Sequence, residues 1–226
     1  MIKPNLFLVS SPKIAFEESY LQLRQKENRL YSDTLLSQLP FVPKDHPHHK
    51  EWTLRKTTAL RFIKYLNKKH SNSRLLELGC GNGWFTNLCS EKVKSAIGVD
   101  INLTELKQAS SVFKKESLKF YYWDVFAKSP FNSKFDLIVL NASIQYFDDL
   151  QKLFSRLKEL LNAGGEIHIL DSPFYRTIDL KAARERSRLY YQKIGFPEMR
   201  AFYFHHDKET LIEAGFEEWH KGETNR

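Results

Sequence analysis

The sequence has few cysteines and no long apolar run, and both shortages exclude classes of protein. Its two cysteines, Cys80 and Cys89, are too few for a disulfide framework, so reduced thiols are expected. The longest apolar stretches, such as residues 135–140, are far shorter than the roughly 18 residues that a bilayer requires. The apolar run at residues 6–9 is too short for a secretory signal. We therefore predict a soluble, cytoplasmic protein without a membrane span.

The sequence also lacks a pattern typical of metal ligands. His46, His48 and His49 lie in a segment interrupted by prolines, without the spacing on a rigid element that metal ligands usually have. We therefore predict no metal ion and interpret this segment as a solvated loop or a lid.

Positive charge is in excess, but it is not concentrated in one place. The chain has 35 Lys and Arg against 27 Asp and Glu, a net charge of +8, which favours anionic partners or an anionic cofactor. The basic residues form separate groups at residues 64–69, 114–115 and 184–193. Solvated helix faces explain each group at least as well as a nucleic-acid footprint does, so nucleic acid is an open but not a favoured partner.

A chain of 226 residues suits one domain with an added segment. Apolar residues recur at helical spacing over residues 16–39 and again over 53–69, where a threonine offers the N-cap. Residues 40–50 hold three prolines and three histidines and are predicted to form a loop. We predict an N-terminal helical extension and lid over residues 1–69, followed by a ligand-binding domain over 70–226.

Beyond residue 73, short β-rich runs alternate with helical patterns, which is typical of a parallel sheet in an α/β fold. We predict a doubly wound, mostly parallel sheet. Strands are expected at residues 74–78, 95–99, 118–123, 135–140 and 165–170, with a last strand near 216–220. Helices are expected at residues 84–92, 103–115, 149–161, 178–193 and 208–214. Because few residues follow 220, either the sheet is one strand short or residues 202–205 supply an edge.

Glycines and polar side chains stand where the predicted strands end. The first of these strands runs directly into Gly79-Cys80-Gly81-Asn82-Gly83, and glycine suits a sharp turn that a ligand must approach closely. Asp100 ends the next strand, about 20 residues further on, where an acid in such folds reaches ribose hydroxyls. Asp124 and Asn141 follow the third and fourth strands. The glycine loop and Asp100 together predict a nucleoside pocket. Because the carboxyl ends of parallel strands line one crevice, Asp124 is expected beside them, and the segment that begins at Asn141 is expected to hold a reacting group.

The spacing of the glycines argues against two other nucleotide-binding loops. A nicotinamide dinucleotide site has the pattern G-x-G-x-x-G, and Trp84 occupies the last glycine position here. Its indole opposes the close packing of helix on strand that glycine allows. A Walker A loop has a lysine and a serine or threonine after the last glycine, and this turn has neither.

From Leu76 to Gly83, at Asp100 and Asp124, and over residues 136–147, the sequence resembles the class I S-adenosylmethionine-dependent methyltransferase family, in its small-molecule branch. The resemblance covers about residues 70–175. It implies a Rossmann-like fold, S-adenosyl-L-methionine as the cofactor, and methyl transfer as the activity.

The resemblance also implies which residues hold the methionine part of the cofactor. Glu77 and the backbone of residues 79–83 would cradle it, and the backbone near Asn141 would face its amino group. Arg55, which follows the loop at residues 40–50, is a candidate partner for its carboxylate.

The nucleoside part of the cofactor is assigned to the next two strand ends. The resemblance implies that Asp100 holds the ribose hydroxyls and that Asp124 bonds the adenine amino group. Ile101 and Val125 would flank the adenine ring.

Methyl transfer from a sulfonium requires little more than in-line alignment in a dry site, so the sequence identifies no catalytic residue. A general base is needed only if the acceptor is protonated. The candidates are Gln145, Tyr146, His168 and the three histidines of the loop at residues 40–50.

Three functions stay open. The favoured one is methyl transfer to a small molecule or metabolite, with the N-terminal helices and residues 172–207 shaping the acceptor pocket. An RNA methyltransferase is suggested by the net charge, but no RNA-binding module is recognisable, and residues 141–144 lack the Asn/Asp-Pro-Pro-Tyr pattern of many nucleic-acid methylases. The third is a non-catalytic cofactor-binding module that serves a partner protein.

Overall fold

Strands and helices alternate along the chain in the computed structural model, which describes residues 5–11 and 14–217. The strands are β1 (Leu6–Leu8), β2 (Arg74–Leu78), β3 (Ser95–Asp100), β4 (Leu118–Tyr122), β5 (Phe135–Asn141), β6 (Leu161–Leu170), β7 (Phe174–Tyr175) and β8 (His206–Asp207). The helices are α1 (Ile14–Lys26), α2 (Asp33–Gln38), α3 (His49–Lys69), α4 (Trp84–Ser90), α5 (Leu103–Val112), α6 (Leu150–Leu160), α7 (Leu180–Ile194) and α8 (Lys208–Glu213).

Six strands form one parallel sheet in the order β1-β4-β3-β2-β5-β6. This confirms the predicted fold class. β2 lies in the middle of the sheet, and its last four residues, which are three leucines and Glu77, are buried. The chain continues from β2 to β3 and β4 on one side and returns to β5 and β6 on the other. Ligands of such sheets bind where the strand order reverses, which is the carboxyl end of β2.

An edge strand comes from the N-terminal segment, where the sequence analysis predicted no strand. Leu6 pairs with Phe120 of β4 and is 4% exposed, and Phe7 stacks on Tyr121 with ring centroids 4.7 Å apart. Three residues are too few to show an alternating pattern. The strand is recognisable only by its partner.

The predicted helices and strands of residues 74–170 are confirmed, although most of their boundaries differ by one to four residues. Two shifted boundaries, one in the helix before this region and one within it, are the starts of α3 and β6. α3 begins at His49 rather than at Thr53, and the Thr53 hydroxyl donates to the His49 carbonyl at 2.9 Å inside the helix. β6 begins at Leu161, which pairs with Phe135 before the register shifts. The predicted N-cap was therefore wrong, because an intrahelical bond occupies that hydroxyl.

The expectations for the C-terminal segment need correction. Residues 197–202 form a 3-10 helix, and β8 pairs with β7 in a separate two-stranded sheet. Residues 202–205 therefore do not supply an edge to the large sheet. A last strand was predicted at residues 216–220. Residues 216–217 do not form a strand, and residues 218–220 lie outside the described residues.

The chain forms two compact units. The first comprises Met1–Ile144 and Arg156–Ser172 and holds the six-stranded sheet, and the second comprises Gln145–Ser155 and Pro173–Arg226. The domain boundary placed after residue 69 stays a prediction. Among the described residues, none of the helices has the length and apolar character needed to cross a membrane.

Candidate functional site

The glycine turn after β2 has a backbone that only glycine adopts readily. Gly79, Gly81 and Gly83 have φ of +74°, +51° and +74°. The amides of Gly79 and Cys80 both donate to the Val99 carbonyl, at 2.8 and 3.1 Å, which ties the turn to the end of β3. The start of the turn is therefore fixed at the carboxyl ends of two central strands, β2 and β3.

Two of these glycines also lie too close to their neighbours for a side chain. A Cβ at Gly79 would lie 2.5 Å from the Cβ of Ser143, and a Cβ at Gly83 would lie 2.5 Å from the Phe120 ring. The Ser143 hydroxyl donates to the Leu78 carbonyl at 2.6 Å, so the segment after β5 is fastened to the end of β2. Close packing of these segments explains why the turn is rich in glycine.

Asp100 holds the middle of the glycine turn. One oxygen of its carboxylate accepts from the Gly81 amide at 2.7 Å, and the other accepts from the Asn102 amide at 2.8 Å. Burial raises the pKa of Asp100, although the backbone donors act in the opposite direction. The carboxylate thus orders the turn, a role that the sequence analysis did not include.

Glu77 is a buried acid beneath the turn, with 2% of its surface exposed. The Thr86 hydroxyl donates to its carboxylate. Burial raises the pKa of Glu77 to about 8, and the negative charge of Asp100 adds to this rise. Glu77 therefore carries a proton for much of the time near neutral pH.

Glu105, in the first turn of α5, is a third acid at the turn and was not predicted. Its carboxylate accepts from the Asn102 side-chain amide at 3.1 Å and lies 3.2 Å from where a Cβ of Gly81 would be. Burial raises the pKa of Glu105 to about 7, again with a contribution from Asp100. The only available signal was the Asn-x-x-Glu spacing, which indicates a helix start and not a pocket.

A cavity of about 110 Å³ opens between Glu77 and Glu105 and the N-terminal segment of the first unit. It brings together six of the predicted site residues, namely Arg55, Glu77, Gly79, Cys80, Gly81 and Asn141. Asn82, from the predicted cradle of residues 79–83, also lines it. The lining residues that were not predicted are Tyr20, Arg24, Arg29, Tyr31, Trp52, Trp84, Glu105 and Ala142. The other predicted residues, Gly83, Asp100, Ile101, Asp124 and Val125, do not line it.

The two residues assigned to the adenine end after β4 lie at a tight turn. Asp124 accepts at its carboxylate from the Phe126 amide at 3.1 Å, and its own amide donates to the Ser10 hydroxyl at 3.1 Å. Val125 is 3% exposed, and its carbonyl accepts from Arg156 at 2.8 Å. Ile101 is partly buried against the core. Their roles toward a cofactor stay predictions.

Arginines from the N-terminal segment give the cavity wall a positive side. Arg29 donates to both oxygens of Glu51, at 2.9 and 2.6 Å, and Arg55 donates to the same carboxylate at 2.9 Å. Burial alone would raise the pKa of Glu51. The guanidinium groups of Arg29 and Arg55 outweigh this effect and lower that pKa to about 2. With Arg24 paired to Glu27, three arginines share two glutamates in this group.

Asn141, at the end of β5, presents an unused acceptor to the cavity. The residue is 7% exposed, and its Oδ1 has no hydrogen-bond partner among the described residues. A buried polar atom without a partner is costly, so it usually marks a place where a ligand or water binds. Ala142, which follows, has a φ of +53° and also lines the cavity.

The candidate bases and the reactive groups lie in ordinary structural settings. Each histidine of the loop at residues 40–50 contacts nearby backbone: His48 the Glu27 carbonyl at 2.7 Å, His49 the Pro43 carbonyl at 3.0 Å, and His46 the His48 amide at 3.1 Å. Among the described residues no group of metal-ligating side chains is arranged to hold an ion. Burial raises the pKa of the Cys80 thiol well above its usual value, which leaves it unreactive.

His168 belongs to a hydrogen-bonded cluster on β6 and the end of α3. Its Nε2 lies 2.8 Å from the Glu166 carboxylate, which also accepts from the Tyr65 hydroxyl. His70 contacts the same hydroxyl at 3.0 Å. None of these residues lines the cavity. The other two candidate bases, Gln145 and Tyr146, belong to the second unit.

Solved structures similar to this chain share its fold. The YcgJ protein from Bacillus subtilis aligns with a TM-score of 0.57 and 19% identity over 70% of this chain and 65% of that chain. A protein from Bacillus halodurans aligns with a TM-score of 0.55 and 18% identity over 70% of this chain and 68% of that chain.

Curated relatives match a shorter part of the chain. An uncharacterized methyltransferase of Mycobacterium tuberculosis is 26% identical over 96 residues, which is 42% of this chain and 49% of that protein. A malonyl-[acyl-carrier protein] O-methyltransferase of Ilyobacter polytropus is 35% identical over 107 residues, which is 45% of this chain and 38% of that protein. The chain spans less than half the length of these relatives.

A family model described as a methyltransferase domain matches residues 51–217, which include β2 to β8, the glycine turn and its three acids. The match extends over most of the chain and agrees with the parallel strand order and with the cavity at the carboxyl end of β2. The chain therefore belongs to the methyltransferase domain family.

Proposed function

We propose that this protein transfers a methyl group from S-adenosylmethionine to a small-molecule acceptor. The observation that carries the proposal is the buried, unpartnered Oδ1 of Asn141 in a cavity walled by the glycine turn. A cofactor ammonium group is a donor of the kind that this oxygen lacks. When bound, the cofactor supplies a methyl group that its sulfonium already activates for transfer.

The ionisable groups around the cavity support a zwitterionic ligand. Glu77 and Glu105 lie on one side, where a bound ammonium or sulfonium group would favour their ionised forms. Arg55 lies with the other arginines and suits a carboxylate. Because Arg55 is on α3, this supports part of the predicted lid as a cofactor-binding element. The protein's own contribution to catalysis is then to bind, orient and exclude water.

The acceptor class rests on weaker support than the cofactor. The relative from Ilyobacter polytropus is described as a malonyl-[acyl-carrier protein] O-methyltransferase, so its acceptor is a malonyl group attached to a carrier protein and not a nucleic acid. The positive charge of this chain is the only feature that favours RNA. It is dispersed over separate helix faces, so we propose a small molecule.

Calorimetric titration with S-adenosylmethionine and S-adenosylhomocysteine tests the cofactor. We expect saturable binding that is about tenfold weaker in Asn141→Ala, since a hydrogen bond to a charged group is lost. Asn67→Ala, at an exposed asparagine of α3, is the matched control and should bind like the native protein. Absence of binding to the folded native protein would overturn the proposal.

Transfer of label from methyl-labelled cofactor tests the acceptor. Label in a malonyl thioester or in the low-molecular-weight fraction of a cell extract supports a small molecule. Label found in RNA alone would contradict a small-molecule acceptor and indicate that RNA is the acceptor. Binding of the cofactor without transfer to any fraction would instead favour a non-catalytic module.

A further inference from the structure

A second cavity lies wholly within the second unit and has a volume of about 370 Å³. Cavities that bind small molecules start at about this size, roughly 300 Å³. Its wall consists of α7, the segment from the end of the 3-10 helix to the start of α8, and a residue before α6. The residues are Asp148, Arg184, Ser187, Arg200, Tyr203, Phe204, His205, His206, Asp207 and Thr210.

The two arginines of this wall form no salt bridge among the described residues, although the charge of Arg200 adds to the hydrogen bond from Arg188 in lowering the pKa of Glu185. Along the same region, Arg176 pairs with Asp179 at 2.6 Å and Arg188 pairs with Glu185 at 2.6 Å. Within the described part of the chain, Arg184 and Arg200 form neither a salt bridge nor a side-chain hydrogen bond. Each guanidinium therefore presents its full set of donors to the cavity or to solvent.

The two carboxylates of the wall are already engaged. Asp207 caps α8, and its Oδ1 accepts from both the amide and the hydroxyl of Thr210, at 2.7 Å each. Asp148 accepts at Oδ1 from the amide of the next residue at 2.9 Å. The wall therefore has no net charge from Asp and Arg, but hydrogen bonds within the protein already occupy acceptors of both acids, whereas the donors of both arginines stay available to a ligand.

A buried histidine adds a polar floor to the cavity. His205 is 8% exposed, and its Nε2 lies 2.9 Å from the Ser187 hydroxyl. Burial lowers the pKa of His205, and the nearby positive charge of Arg184 lowers it further. The imidazole is therefore neutral near pH 7, so the cationic groups available to a ligand here are the two arginines.

We propose that this cavity binds a small ligand through an oxyanion group, a carboxylate or a phosphate, held by Arg184 and Arg200. Arginine matches the planar, multi-oxygen geometry of both groups and forms charge-assisted hydrogen bonds to them. The Ser187 hydroxyl supplies a further polar contact on the same wall. The inference concerns the second unit alone and does not depend on S-adenosylmethionine.

Calorimetric titration of the full chain with inorganic phosphate, and separately with acetate, tests the site at an ionic strength kept constant with chloride. We expect saturable binding of at least one of the two, with phosphate alone indicating a phosphate ligand and acetate alone a carboxylate. Affinity should fall about tenfold or more in the double variant Arg184→Gln, Arg200→Gln, because two charge-assisted contacts are lost. Arg61→Gln, at an exposed arginine of α3, should leave affinity unchanged.

Three outcomes would overturn the inference: no saturable binding of either anion, equal affinity in the double variant, or an equal loss in Arg61→Gln. Circular dichroism and urea unfolding establish that the double variant is folded. Titration of the same variants with S-adenosylhomocysteine keeps the two proposals separate. A native protein that binds phosphate but not S-adenosylhomocysteine would contradict the methyltransferase proposal and leave this one standing.

Discussion

The carboxylate of Asp100 bonds the amide of Gly81 at 2.7 Å, so the acid at the end of β3 orders the turn at the end of β2. The same carboxylate is the predicted partner of the ribose hydroxyls. Asp100→Ala removes both the bond that orders the turn and the predicted contact with the ribose. We expect this variant to bind S-adenosylhomocysteine at least about tenfold more weakly and to unfold at lower urea concentration.

Calorimetry and urea unfolding measure the two effects of Asp100→Ala separately. Asp45→Ala, at an exposed aspartate in the loop at residues 40–50, is the matched control. Unchanged affinity in Asp100→Ala would contradict its assignment to the ribose and leave it with the structural role alone.

A comparison of Gly83 with Gly164 separates the effect of backbone conformation from the effect of close packing. Both glycines have a φ of +74°, so the backbone strain of an alanine should be similar at the two positions. A Cβ at Gly83 would lie 2.5 Å from the Phe120 ring, whereas a Cβ at Gly164 would meet nothing within 4 Å. We expect Gly164→Ala to lower the free energy of unfolding by about 1 kcal/mol, from backbone strain alone. Gly83→Ala should cost about 2–4 kcal/mol because overpacking adds to the strain. Equal losses in urea unfolding would show that Phe120 moves aside without cost.

Thr86 is predicted to matter more at high pH than at low pH. Its hydroxyl donates to Glu77, whose pKa of about 8 means that the carboxylate is charged only at higher pH. Thr86→Val should lower the free energy of unfolding by about 1–3 kcal/mol, with the larger loss near pH 9, where a buried charge loses its donor. Thr57→Val, at an exposed threonine of α3, is the control. A loss independent of pH would argue that only packing is affected.

Glu105 should make the protein less stable as the pH rises. Its pKa of about 7 in the folded protein lies above the value of 4.5 for a free glutamate, so the folded state holds its proton more tightly. The proton's stabilising effect is complete below about pH 4.5 and is lost as the pH rises through about 7. Between about pH 5 and pH 8 this titration should lower the free energy of unfolding of the native protein by about 2 kcal/mol, and Glu105→Gln should lack that decrease. Unfolding curves at the two pH values measure it.

The matched control for Glu105→Gln is Glu116→Gln, at an exposed glutamate before β4. It should follow the pH dependence of the native protein. If Glu105→Gln follows it too, the carboxyl of Glu105 is solvated and titrates as in the unfolded chain.

The sheet could be predicted from the sequence where apolar runs are bounded by turn residues. β2 and β5 are such runs, and the glycine turn between β2 and α4 marks its own position. β1 could not be predicted in this way, because three residues carry no period and their partner is Phe120, far along the chain. Pairing across such a separation is a tertiary property.

The candidate site shows the same division between local and tertiary signals. The glycine turn and the strand-end acids follow from strand spacing, and Trp84 was taken to argue against a dinucleotide loop. In the structure the indole of Trp84 lies edge-on to that of Trp52, with centroids 5.3 Å apart, in the wall of the cavity. Arg29 could not be predicted, because its place depends on the path of the N-terminal segment over the turn.

The pairing of β1 with β4 also bears on how the chain is made. Residues 6–8 leave the ribosome long before residues 118–122, so the first-synthesised strand of the sheet has no partner until more than half of the chain has been translated. Contacts between segments so far apart in sequence form slowly, since a long loop must close first. Until that closure, the outer edge of β4 is an open template to which another nascent chain could add a strand.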